Sequence, residues 1–277
     1  MEEAIKRECD NLQIVDLFVS LQGEGQRCGI PSLFIRISGC NLRCCFKDSI
    51  CDTAYSSFHP EKGKYTKEGI KKMLETHPQV TDVVITGGEP MMFAGALSDL
   101  LDWLNTNVDD FGDKFITIET NGTFYPLGDC IDLYSISPKL KTSLPEVGKS
   151  YLVPGQKGGG KTTLVTFDKE KIEKLDKMRR NIKTTEALIA GPTYGDFQLK
   201  FVYSGKESLD DILEFLNDLE KELGWPVPGD HIYLMPEGVT EEQLSKTGRE
   251  AAQVCIERGW RFTDRLHIRI WGDKRGF

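Results

Sequence analysis

The chain contains no apolar run approaching the roughly 20 residues that a bilayer-crossing helix needs, so no membrane span is expected. Its first residues, MEEAIKRECDN, are charged and lack the apolar core of a signal peptide, which points to a reducing, cytoplasmic setting. An excess of positive charge is missing as well. The formal net charge of -8 argues against broad nucleic-acid binding driven by phosphate neutralisation, although a few local cations can still hold a small anion. Histidine is scarce, and His59 and His77 sit in undistinguished polar segments. No linker divides the chain. With 28% charged and 39% hydrophobic residues, its 277 positions describe a globular protein able to bury a sizeable core.

Cysteine, by contrast, is concentrated. Four of eight fall within CNLRCCFKDSIC: Cys40, Cys44, Cys45 and Cys51. In a reducing setting that density indicates metal ligands or reactive thiols rather than bridges. Cys9, Cys28, Cys130 and Cys255 stand alone and read as ordinary buried or surface thiols. A closed zinc site takes four ligands, usually as two close pairs. Cys44 and Cys45 are adjacent and point in different directions, and no histidine is near enough to complete a pair. Three thiolates suit an iron–sulfur cluster better, with one iron left open to a cofactor or substrate.

Strand and helix patterns alternate along the chain. Strands are expected at 13–19, 32–39, 80–87, 114–122, 133–139, 198–205, in HIYLMPEG and at 265–272. Helices are expected near 66–76 and 95–106, after a Ser208 cap with Asp211 at the capping-box position, and after Thr240 with Gln243. The alternation argues α/β with a largely parallel sheet. Six or seven strands from Phe34 onward are too few for an eightfold barrel. Glycines, acids and short polar residues follow each strand, so one active edge is expected. At ITGGEP, Gly87 and Gly88 let backbone approach a ligand closely, and Glu89 can receive an ammonium. Residues 155–162, GQKGGGKT, match a phosphate-loop pattern, but the β-branched run after them is helix-averse, so they read as a flexible basic surface loop.

Cys40-x3-Cys44 after FIRISG, together with TGGEP, resembles the opening of the radical S-adenosylmethionine signature, with the third cysteine displaced to Cys51. Cys44 keeps the register of GCNLRC, and Cys45 is the alternative second ligand. LQGEG, CDT, ETNGT, SPK, LKFV, MPEG and the ending RLHIRIWGDKRGF, in that order, look like the 7-carboxy-7-deazaguanine synthase family. The likeness runs from about residue 14 to the C-terminus, interrupted at 45–50 and 141–196.

That resemblance implies a single domain over 1–277 with insertions near those two places, and an incomplete TIM-like (β/α) barrel of the radical SAM type. It implies conversion of 6-carboxy-5,6,7,8-tetrahydropterin to 7-carboxy-7-deazaguanine with loss of ammonia, on the route to queuosine and related deazapurines. The implied cofactors are a [4Fe-4S] cluster on Cys40, Cys44 and Cys51, S-adenosylmethionine, and Mg²⁺ at Thr53. S-adenosylmethionine would lie against Ile50, Cys51, Asp52, Gly88 and Glu89, with Ser137, Pro138 and Lys139 and the turn Met235, Pro236, Glu237 and Gly238. The pterin would meet Leu21, Gln22, Gly23, Arg36 and Thr86, and the terminal carboxylate at Phe277. Arg36 is a cation in an apolar strand, so it needs an anion; the substrate carboxylate, Glu24 and Glu119 are the choices. A homodimer and a flavodoxin-like external electron donor are further expectations. Contrasting readings are another radical enzyme, such as a glycyl-radical activase, and a non-catalytic zinc or nucleotide-binding module; LQGEG and SPK argue against the first.

Overall fold

The apolar runs in PSLFIRI, DVVITG, FITIET, LYSI and DFQLKFVY are β-branched or aromatic and are cut off by glycine, proline or short polar residues. They form β2 (Pro31–Ile37), β3 (Asp82–Gly87), β4 (Phe115–Thr120), β5 (Leu133–Ile136) and β8 (Asp196–Tyr203) of one sheet. β1 (Ile14–Leu21), β9 (Ile232–Pro236) and β10 (Arg261–Phe262) complete it. β6 (Ser150–Val153) and β7 (Thr163–Thr166) pair separately. The computed structural model describes residues 12–46, 49–128, 130–155, 161–191 and 195–277.

The sheet order is β1-β2-β3-β4-β5-β8-β9-β10, which is chain order apart from the excursion through β6 and β7. β1 is antiparallel to β2, and all other neighbours are parallel. The sheet is open, as the strand count implied. Crossover helices at Lys67–Thr76, Ala94–Thr106, Ile182–Ala190, Lys206–Leu223 and Glu241–Arg258 cover one face.

Strand alternation assigns the two faces. Leu33, Ile35 and Ile37 of β2, Val83 and Ile85 of β3, and Leu199 and Phe201 of β8 pack with helix residues such as Leu97 and Ile212 in the main core. The residues between them point the other way. Arg36, Thr86, Glu119, Ser135 and Lys200 therefore line a common cleft of about 1900 Å³.

Two local expectations are corrected. RLHIRIW is not a strand but the helix Leu266–Trp271. Its apolar alternation misleads, because Ile268 is buried while Ile270 is exposed. Ser208 does not open its helix, which begins at Lys206 after Gly205 with φ 125°. The Ser208 hydroxyl donates back to the Gly205 carbonyl, and the Asp211 carboxylate accepts instead from the Thr142 amide at 3.3 Å. At GQKGGGKT, residues 156–160 lie outside the described residues. Their flanks are the antiparallel pair β6–β7, not the strand-then-helix of a phosphate loop.

The excursion after β5 has its own small core. Tyr151, Phe167 and Leu175 pack against Leu42, Cys44 and Cys45. The segment where the family likeness is interrupted, 141–196, thus supplies the back wall of the cysteine loop.

Candidate active site

β2 ends at Ile37 and delivers Cys40 to the cleft, with Cys44 and Cys51 beside it. The six-residue gap between the last two is closed by a small antiparallel turn. Cys51 N–H donates to the Cys44 carbonyl at 3.0 Å, Cys45 and Ile50 bridge, and Phe46 and Ser49 exchange bonds at 2.8 and 3.3 Å. The long spacing therefore brings Cys51 directly across from Cys44.

Burial pushes the Cys40 thiol up to about 12, with Cys44 and Cys51 adding to the shift. Burial likewise raises Cys51 to about 11, assisted by the Asp52 carboxylate and Cys44. Burial raises the Cys45 thiol to about 12 as well, and all four cysteines of the loop line the one cleft. The Leu42 amide donates to Cys40 Sγ at 3.4 Å. Among the described residues no three His, Cys, Asp or Glu side chains converge on one point as a single ion requires. An all-thiol set spread over a cleft wall fits a cluster in which each thiolate takes a different iron.

The glycine-rich end of β3 comes next to this wall. Gly87, with φ 148°, lies so close to β2 that a Cβ would sit 2.0 Å from the Ile37 carbonyl oxygen. A Cβ on Gly88 would sit 2.1 Å from the Gly39 carbonyl oxygen and 2.7 Å from that of Ser56. Both obstacles are backbone. Gly88→Ala is expected to cost about 1–3 kcal/mol of stability by overpacking, read as a lower melting temperature. An unchanged melting temperature would show that the strand end can yield.

Glu89 does not face the cleft. It is fully buried, and its carboxylate accepts from Met91 N at 3.1 Å, Thr120 Oγ1 at 2.9 Å and Asn121 N at 2.6 Å. Burial lifts it to about 7 against the pull of those donors. In the structure it ties the ends of β3 and β4 together. Pro138 is not among the cleft-lining residues either, although Ser137 and Lys139 are, with Lys139 Nζ donating to Ser137 Oγ at 2.6 Å.

The other expected residues do gather there. Ile50, Asp52 and Thr53 line the cleft beside Cys51, and the turn Met235–Gly238 lines the far side. Thr53 Oγ1 is 3.2 Å from Cys51 Sγ. Leu21, Gln22, Gly23, Arg36, Thr86 and Phe277 occupy the remaining wall. Arg36 pairs with neither Glu24 nor Glu119. Its Nε is 3.5 Å from Asp16, its cross-strand partner, and makes no hydrogen bond. Phe18 and Phe34 stack beside it with centroids 5.1 Å apart.

The sequence reading missed the charged group in the middle. Lys200 donates to Glu24 and lies 3.8 Å from Glu119. Glu119 accepts from Thr86 Oγ1 at 2.7 Å and Gln22 Nε2 at 3.3 Å. Arg265 bonds Glu24 at 3.1 Å, Asp52 at 2.6 Å and the Gly238 carbonyl at 2.7 Å. Burial alone would raise the Glu24 carboxyl, but the Lys200 ammonium and the Arg265 guanidinium hold it far below the usual carboxylate range. Burial disfavours the Lys200 charge, yet Glu24 and Glu119 raise its pKa. The available signal was the cation inside LKFV, the same anomaly that singled out Arg36.

A family model described as a 4Fe-4S single cluster domain matches residues 21–127. A 7-carboxy-7-deazaguanine synthase from Rhodopirellula baltica is 36% identical over 266 residues, covering 96% of this chain and 89% of that protein. The chain belongs to the 7-carboxy-7-deazaguanine synthase family. A synthase from Halobacterium salinarum is 35% identical, covering 95% and 91% of the two chains. The crystal structure of QueE from Escherichia coli superimposes with a TM-score of 0.58 at 21% identity, covering 95% of this chain and 98% of that one. The open α/β sheet is thus the fold of this synthase family, an incomplete barrel of the radical SAM type, and the chain is an enzyme of that class.

Proposed function

We propose that the protein converts 6-carboxy-5,6,7,8-tetrahydropterin to 7-carboxy-7-deazaguanine with release of ammonia, within 7-deazapurine biosynthesis. The observation that carries this reading is the meeting of Cys40, Cys44 and Cys51 with Leu21–Gly23, Arg36 and Thr86 in one cleft. When bound, the cluster and S-adenosylmethionine supply a one-electron reductive cleavage that yields a hydrogen-abstracting radical.

The chain's own residues hold, orient and exclude. Cys40, Cys44 and Cys51 hold the cluster, and the backbone at Gly88, the Ile50–Asp52 segment, Ser137, Lys139 and Met235–Gly238 carry S-adenosylmethionine. Phe18 and Phe34 offer the pterin ring system an apolar wall and keep water from it. The Arg36 guanidinium, with its unbonded buried Nε, is the cation for the substrate carboxylate. Glu119, fixed by Thr86 and Gln22, accepts N–H groups of the substrate. Asp52 is committed to Arg265, so the Thr53 hydroxyl is the oxygen left to meet Mg²⁺, which keeps several waters and takes few protein ligands. A homodimeric state, a flavodoxin-like electron donor and a cytoplasmic location complete the proposal.

Anaerobic incubation of the reconstituted protein with S-adenosylmethionine, reductant, Mg²⁺ and the carboxytetrahydropterin is expected to yield 7-carboxy-7-deazaguanine and ammonia. A cluster-replete protein that cleaves S-adenosylmethionine without making that product would defeat the substrate assignment.

A further inference from the structure

We propose that Arg179 is a positioning residue that raises the reduction potential of the iron–sulfur cluster from behind the cysteine loop, an inference that rests on Cys44 being a cluster ligand. Arg179 ends the helix Lys169–Arg179, in the excursion after β5, and is only 2% exposed. Its Nη1 donates to Ser143 Oγ at 2.6 Å and lies 3.8 Å from Cys44 Sγ, and its Nη2 donates to the Arg43 carbonyl at 2.9 Å. Nε makes no hydrogen bond. No carboxylate is among these partners.

A guanidinium kept out of water needs an anion. Among the described residues the hydrogen bonds of Arg179 go to the Ser143 hydroxyl, the Arg43 carbonyl and the Cys44 sulfur, and none of these is a carboxylate. The Cys44 sulfur is the group beside it that becomes anionic when it binds iron. Adding one electron to a cluster adds one negative charge, so a fixed cation in this low-dielectric wall favours the reduced form. The bond to the Arg43 carbonyl also fixes the backbone next to the ligand, which keeps that charge at a constant distance. The excursion therefore brings a buried positive charge to the sulfur side of the site, away from the cleft where cofactor and substrate enter.

The test compares parent, Arg179→Met and Arg179→Lys proteins after anaerobic reconstitution. Iron and sulfide content is measured first, then the midpoint potential by a dithionite titration followed by electron paramagnetic resonance. Arg179→Met is expected to keep its iron and sulfide but to titrate lower. At the parent's midpoint its reduced-to-oxidised ratio should fall about tenfold, which is about 59 mV for one electron. Arg179→Lys, which retains the charge, should fall between the two. A Met variant that titrates with the parent, or a Lys variant that titrates with Met, overturns the proposal. If Arg179→Met does not fold, Ser143→Ala decides: with the hydroxyl gone, Nη1 has only the sulfur to face, and the midpoint should rise. No change or a fall overturns the proposal. A parent protein without iron and sulfide would instead defeat the cluster reading of the whole site, and a Cys44→Ala protein that keeps its cluster would defeat the ligand assignment.

Discussion

A Cys44→Ala protein is expected to lose its iron and sulfide and to make no detectable product, whereas Cys45→Ala keeps the metal content of the parent. The two thiols are neighbours in sequence and both are buried, so exposure does not separate them. The turn that closes the loop does. Its pairs are Cys44 with Cys51, Cys45 with Ile50, and Phe46 with Ser49. In an extended pair, side chains opposite each other share a face and consecutive ones alternate. Cys44 therefore shares the face of Cys51, whereas Cys45, although it also borders the cleft, shares that of Ile50. Cys45 N–H is moreover tied to the Ser143 carbonyl at 2.9 Å, which holds that residue against the back wall. Iron and acid-labile sulfide per chain, with the visible absorption of the anaerobic protein, decide the matter. A Cys45→Ala protein that is colourless while Cys44→Ala stays brown would reverse the assignment.

Lys200→Met should be the most damaging change away from the cysteines, costing about 3–5 kcal/mol, because it removes the counter-charge of a buried carboxylate. Glu24 would then depend on Arg265 alone, and Glu119 would lose its nearest cation. Product formation should fall to background, since both carboxylates line the cleft proposed to take the substrate. Adding Glu24→Gln to Lys200→Met is expected to restore part of the stability and none of the activity. Urea unfolding at several pH values gives the readout. The Glu24 carboxyl is depressed in the folded protein, so its contribution is complete above its unfolded value of about 4.3 and fades as pH falls toward the folded one. The Lys200 ammonium is raised, so its contribution is complete below about 10.4 and fades as pH rises through the folded value. Parent stability from this pair should thus be flat between about pH 5 and 10. In Lys200→Met the plateau should be lower throughout. A variant as stable as the parent at pH 7 would mean that Arg265 alone suffices for Glu24.

The parts of the structure legible in the sequence were those that local chemistry dictates. TGGEP and SPK mark strand ends because glycine, proline and small polar residues stop a β-branched run, and the order of the strands follows from their order in the chain. The cysteines announced their site by number alone. Two kinds of feature stayed hidden. One is the direction of a side chain at a strand end: Glu89 looked available beside two glycines, but Thr120 and Asn121 of the next strand claim both its oxygens. The other is any pairing made across the fold. Nothing near LKFV or RLHIRIW says that Lys200 and Arg265 meet Glu24, or that Arg179 reaches Cys44. Local period also failed for Leu266–Trp271, where six residues are too few to distinguish helix from strand.

The sequential order of the sheet has a consequence for synthesis on the ribosome. Each parallel strand docks on the edge left by the one before, so the sheet can grow as the chain emerges, with little waiting for distant partners. Glu24 is the exception. Its two cations lie 176 and 241 residues downstream, and until they arrive the carboxylate must stay hydrated. The cleft side of the growing sheet is therefore expected to stay solvated around Glu24 until Lys200 and then Arg265 arrive to pair with it.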